Sequence, residues 1–156
     1  MESGKKIDDH DRVILEILQK DARVNLDVLA EQSGLSLASA QRRLKRLRDS
    51  KIIQSEIAVI DPELLDRRMT FIVEVELERE RIHELDEFVV RVKQEPGVQQ
   101  CYYVTGQSDF FLICTARDME DFERITRSLF FDHPNVRKFK TSLVMARKKV
   151  GLAIPI

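Results

Sequence analysis

The chain is short of the residues that mark several protein classes. Among its 156 residues there is no tryptophan, and there are only two cysteines and three histidines. Cys101 and Cys114 lie in no CxxC or Cys/His pattern, and His10, His83 and His133 are scattered without ligand spacing. A metal centre or a disulfide-stapled scaffold is therefore not expected, and in a reducing compartment the two cysteines are expected as buried thiols. The five glycines form no phosphate-cradling loop, and no nucleophile–base pair stands out, so neither an enzyme nor a cofactor is expected. No apolar run approaches the ~20 residues of a membrane span. The opening MESGKKIDDHD lacks a signal-peptide core, so the expected location is the cytoplasm, with no membrane partner. What remains, at 43% hydrophobic and 34% charged, is the composition of an ordinary folded protein of one domain or two small ones.

Charge is scarce in sum but not in place. The formal net charge of −1 argues against indiscriminate binding to polyanions. Residues 7–35 nevertheless carry three Lys/Arg against seven Asp/Glu, a net of −4. Between Ser36 and Ser55 six cations (Arg42, Arg43, Lys45, Arg46, Arg48, Lys51) meet the single acid Asp49, a net of +5. Residues 61–156 return to a net of −2, with 15 Lys/Arg and 17 Asp/Glu. So local a concentration of positive charge is the footprint of an element that contacts nucleic acid.

That element has helical spacing. Leu37, Ala40, Leu44 and Leu47 recur on one face, Ser39, Arg42 and Arg46 fall opposite, and Ala38, Arg43 and Lys45 flank them. Ser36 suits the N-cap. Two helices precede it, from Asp8 or Asp9 to about Lys20 and from Leu26 to Ser33, the second capped by Asn25 and ended by Gly34. Ala30 is small enough for two helices to approach, Gly34 supplies a positive φ four residues later, and Ala40 locks the third helix six residues beyond that. This is the pattern of a helix-turn-helix. After Ser50 the apolar Ile52, Ile53, Ile57, Val59 and Ile60 predict one or two short strands, as a wing or a lead into a linker. Asp61-Pro62 stops them.

The second half alternates strand, helix, strand, strand, helix, strand. The expected elements are Thr70 to Leu77, Ile82 to Gln94, Val98 to Thr105, Phe110 to Ala116, Met119 to about Phe131 and Val136 to Ala146. A hairpin loop Gly106-Gln107-Ser108-Asp109 would set Val104 opposite Phe111 and Cys101 opposite Cys114. The order βαββαβ gives a ferredoxin-like antiparallel sheet with both helices on one face. Apolar residues on both strand faces, such as Tyr102, Tyr103, Phe110, Phe111 and Leu112, then predict a homodimer formed sheet against sheet.

These motifs together resemble the Lrp/AsnC family of feast/famine transcriptional regulators over nearly the whole chain. In the first half they are Ile7-Asp8 with Asp11 and Ile14-Leu15, Leu18 through Arg23, Leu29-Ala30, Gly34-Leu35-Ser36, Arg42 through Leu47, Ile53 and Asp61-Pro62. Pro96-Gly97-Val98, Val104-Thr105-Gly106 with Asp109, and the strand through Thr141 carry the second half. The resemblance implies an α+β protein: a winged helix-turn-helix over 1–55, a linker strand and connector over 56–68, and a ferredoxin-like dimerisation and effector-binding domain over 69–156. It implies assembly of dimers into higher oligomers, often octamers, with an effector, usually an amino acid, held between dimers. The matching effector positions are Gly106, Gln107, Ser108, Asp109 and Thr141. Two positions depart from the family pattern, Lys51 and Asp66, where glycine is usual. A third, Phe139, stands where several members have threonine, which points to an apolar or aromatic effector. Tyr103 lines either that space or the core.

The expected function is sequence-specific binding of double-stranded DNA at a palindromic site, by residues Ser36, Ala38, Ser39, Arg42, Arg43, Lys45 and Arg46. Arg43 is read either as a phosphate contact or as the partner of an acid on the first helix. The rival reading is an architectural, weakly specific DNA-wrapping protein.

Overall fold

The computed structural model describes residues 7–156. They form two compact units, one made of the chain up to Val59 together with Val150–Ile156, the other of Ile60–Lys149.

In the first unit α1 spans Asp9–Lys20, α2 Leu26–Ser33 and α3 Leu37–Asp49. Each start has a side-chain cap that satisfies otherwise orphaned amides. Asp8 and Asp11 form a reciprocal capping box on α1, the Asn25 carboxamide accepts from the Val28 amide at 2.9 Å, and the Ser36 hydroxyl accepts from Ser39. Gly34 ends α2 at φ 67°, ψ 30°, and the Leu35 amide closes back onto the Ala30 carbonyl at 2.9 Å. No atom crowds Gly34, so its glycine serves the left-handed backbone and not a close approach. Ile14, Leu29 and Leu47 form the centre of the core, with Ala40 fully buried between helices.

The segment after α3 differs from expectation. The Ile52 and Ile53 amides both donate to the Leu47 carbonyl at 3.1 Å, which folds the first two isoleucines back under the helix. Residues 54–61 form neither helix nor strand, and Val59 is 94% exposed. The β-branched composition predicted a strand, but such a preference forms one only where a partner strand pairs with it. Lys51 and Asp66, the two positions where the resemblance leads one to expect glycine, both adopt left-handed backbone, with φ 58° and 56°.

The second unit has β1 Met69–Leu77, α4 Ile82–Gln94, β2 Val98–Tyr103, β3 Phe110–Ala116, α5 Met119–Thr126 and β4 Val136–Leu143. A π-helical turn, Arg127–Phe131, continues α5. The strands are antiparallel in the order β2-β3-β1-β4, the ferredoxin-like arrangement. Phe71, Val73, Val75, Phe110 and Leu112 point inward onto Phe88, Ile125 and Leu129. Gly97 permits the closest approach, because a β-carbon there would stand 2.4 Å from Ile125 Cδ1.

The hairpin register is shifted from the expected one. Tyr103 faces Phe110 and Cys101 faces Leu112, while Cys114 faces Val98. The loop is Thr105–Ser108, not Gly106–Asp109, because the Asp109 backbone is drawn into the sheet. Its carbonyl accepts from Val104 and its amide donates to Val75, each at 2.9 Å. Cys101 and Cys114 are therefore not directly opposed, and both are free thiols. Burial pushes the Cys114 thiol up to about 12 and raises Cys101 as well, so neither is a ready thiolate. Tyr103 and Phe110 face the helices, with ring centroids 5.2 Å apart. The open face is accordingly less apolar than the strand sequences suggest. Ile72, Tyr102, Phe111 and Ile113 share it with the cross-strand pairs Glu74–Lys140 and Glu76–Lys138.

Candidate nucleic-acid interface and ligand loop

The third helix sorts its cations into two groups. Asp11 is fully buried at the start of α1, and its carboxylate accepts from Arg43 at 2.9 Å and from Arg46. Arg43 also donates to Asp8, at 2.7 and 2.8 Å. A charge so deeply buried persists only when paired on both oxygens. The guanidinium of Arg43 and the Asp11 amide hold the Asp8 carboxyl down at about 2. Burial alone would raise Asp11, but hydrogen bonds from Arg46, the Asp8 amide and Arg43 outweigh it and leave the group below its usual range. Of the two readings of Arg43, the pairing with first-helix acids is the one seen in this structure.

The other group projects outward. Ala38, Gln41, Arg42 and Lys45 are all exposed and recur at i, i+3, i+4 and i+7, one stripe of α3. Ser36 is exposed beside its start, and Ser39 is half-buried between the two groups. Arg42 forms no ion pair with any described residue, whereas Lys45 meets Asp49 at 2.8 Å and Arg48 grips Glu56 at 2.8 and 2.9 Å. Gln41 was absent from the sequence-based set although its spacing from Ala38 signals it. Leu37, assigned to the apolar stripe, is 48% exposed. A helix with exposed amide and guanidinium groups on one stripe carries donors and acceptors of the kind that pair with base edges in a major groove.

The loop residues are held differently. Gly106 has φ 130°, a conformation suited to glycine. Gln107 is exposed, and buried Ser108 donates to Glu74 at 3.3 Å. One Asp109 oxygen accepts from the Leu77 amide at 2.7 Å, where β1 shifts register against β4. Thr141 is exposed and pairs with Val73, on the far side of β1 from the loop. Two strand spacings of ~4.8 Å and several residues of rise separate them, so a single chain does not bring Thr141 to the loop. Phe139 packs against Phe130 and Phe131, at 4.7 and 5.4 Å between centroids, and borders a groove of about 420 Å³ with Met119, Phe122 and Thr126. Among the described residues no helix is long and apolar enough to cross a membrane.

Helix-turn-helix with an outward cationic helix, followed by a four-stranded α+β unit, defines a DNA-binding transcriptional regulator with a ligand-binding domain. Residues 7–54 match the winged helix-turn-helix DNA-binding model and residues 70–154 the Lrp/AsnC ligand binding domain, and the chain belongs to the Lrp/AsnC family. It is 41% identical to an uncharacterised HTH-type transcriptional regulator of Sinorhizobium fredii, over 97% of this chain and 89% of that protein. It is 31% identical to the leucine-responsive regulatory protein of Escherichia coli, over 94% of this chain and 89% of that one. Among solved structures, a Neisseria meningitidis transcriptional regulator in complex with L-Met superposes with a TM-score of 0.87 at 27% identity, covering 96% of this chain and 97% of that one.

Proposed function

We propose that this regulator recognises a palindromic duplex sequence as a homodimer and responds to an amino acid or similar small effector. The observation that carries the DNA half is the division of α3 into fixed and outward groups. Asp8 and Asp11 hold Arg43 and Arg46 against the domain, which sets Arg43 at the edge of the interface as a phosphate contact, while Gln41 and Arg42 are placed to contact bases. Lys45, Ser36, Ala38 and Ser39 complete the interface.

The effector half is supported by the family membership and by the L-Met complex of the Neisseria meningitidis relative. Because Thr141 lies away from Gly106, Gln107, Ser108 and Asp109, the site needs loop and strand from different copies. Dimers joined through the open sheet face, and stacked into assemblies up to an octamer, would provide that. Asp109 spends one oxygen on Leu77, so the other is left to meet an α-ammonium group. Phe139 favours an apolar side chain. The effector acts only by preferring one assembly geometry over another.

Two measurements test the reading. Selection from a random duplex library should return an inverted repeat, whereas a specificity ratio near one would favour the architectural alternative. A thermal-shift screen across the common amino acids should give a concentration-dependent rise for at least one apolar member, and a flat screen would remove the effector half.

A further inference from the structure

The DNA-binding unit contains a stretch of chain that the helix-turn-helix does not explain. Val150–Ile156 leaves the ligand-binding unit and belongs to the compact unit of α1 to α3. Gln19, in the last turn of α1, holds it by the carboxamide. Its Nε2 donates to the Ile154 carbonyl at 2.9 Å, and its Oε1 accepts from the Ile154 amide at 2.7 Å. One side chain thus satisfies both backbone groups of one residue, as a neighbouring strand would. The Ile154 side chain is 65% exposed, so recognition is by backbone and not by side-chain burial. Pro155 follows and has no amide of its own to compete for the acceptor.

From this two-point clasp we infer that the C-terminal heptapeptide is a working part of the DNA-binding unit, with Gln19 as its docking residue. The clasp sits at one end of α1, and Asp8 and Asp11 at the other end position Arg43 and Arg46. Holding the tail therefore steadies the helix that fixes the cations of α3. Gln19 acts on DNA only through that chain of contacts and is a positioning residue. The DNA consequence rests on the function proposed above; the clasp itself does not.

Hydrogen exchange on the full chain, with binding to random-sequence duplex measured alongside, tests both parts. Ending the chain at Lys149 should make the α1 amides over 13–20 exchange about fivefold faster, the scale of two exposed hydrogen bonds lost. Gln19→Glu, which replaces the donor with a carboxylate facing the Ile154 carbonyl, and Ile154→Pro, which removes the amide, should do the same. Ile154→Ala keeps both backbone groups and should match the unaltered protein. Unchanged exchange in the truncated chain, or an alanine variant as fast as the proline variant, would overturn the clasp. DNA affinity should fall about threefold in the three clasp-breaking variants. Faster exchange with unchanged affinity would overturn the positioning role, and absence of DNA binding by the unaltered chain would count against the proposed function while the exchange arm still decides the clasp.

Discussion

The two units solve the placement of polar groups in opposite ways. In the first, charges from helices distant in sequence are locked together, so that Asp11, fully buried, faces two guanidiniums carried by a helix more than thirty residues away. The result is a rigid platform whose outward stripe, Gln41 and Arg42 included, is already formed in one chain. In the second unit the candidate loop is occupied with its own sheet: Ser108 serves Glu74, Asp109 serves Leu77, and Thr141 stands across β1. The first unit gathers its candidate residues within one chain, whereas the second keeps Thr141 apart from the loop. The proposed function builds on that contrast, with DNA contact made by one chain and effector contact dependent on assembly.

The sharpest way to break the contrast is to remove the platform's anchor. Asp11→Ala deletes the buried carboxylate that Arg43 and Arg46 share, leaves Arg43 with Asp8 alone, and should destabilise the DNA-binding unit by about 1.5–3 kcal/mol, the scale of a lost charge-assisted hydrogen bond, as read from chemical denaturation. The equivalent anchor in the second unit is steric. Gly97→Ala should cost about 1–3 kcal/mol, because the new methyl overlaps Ile125 and that side chain is fully buried. Next in size, Lys51→Gly should stabilise the first unit by up to about 1 kcal/mol, since it relieves a left-handed lysine at some gain in unfolded-chain entropy.

Acid should separate the units least, but in a predictable sense. Asp8 titrates at about 2 in the folded state against 3.8 ordinarily, so its contribution is complete above about pH 4 and disappears as pH falls through 2. Lowering the pH from 5 to 2 should therefore loosen the α1–α3 contact, and Asp8→Asn should flatten that part of the stability profile. A profile unchanged by Asp8→Asn would mean that the ion pair with Arg43 contributes nothing measurable.

The same contrast explains what was legible in the sequence. Helix starts and stops are written locally, so Asp8, Asn25, Ser36 and Gly34 place all three N-terminal helices within about a residue. Ala30 and Ala40 give away their packing because only small residues fit there. The succession of strands and helices along the chain followed from alternation and helical spacing. The hairpin register did not, since Asp109 enters the ladder through bonds to β1, a strand thirty residues earlier. Nor could alternation show that Tyr103 turns inward while Tyr102 faces out, because a shift of register decides it. On α3 the exposed Gln41 was readable from spacing, but the capture of Arg46 by Asp11 was not. It depends on how two helices cross.

The central claim is that the outward stripe of α3 reads DNA. Its most direct measurement is the affinity of Arg42→Ala, against the unaltered chain, for the selected inverted repeat and for random duplex at one fixed salt concentration. A base-contacting Arg42 predicts a loss of about 1–3 kcal/mol on the selected site, with the preference relaxed at one position of each half-site. Equal affinity and an unchanged sequence preference would contradict it.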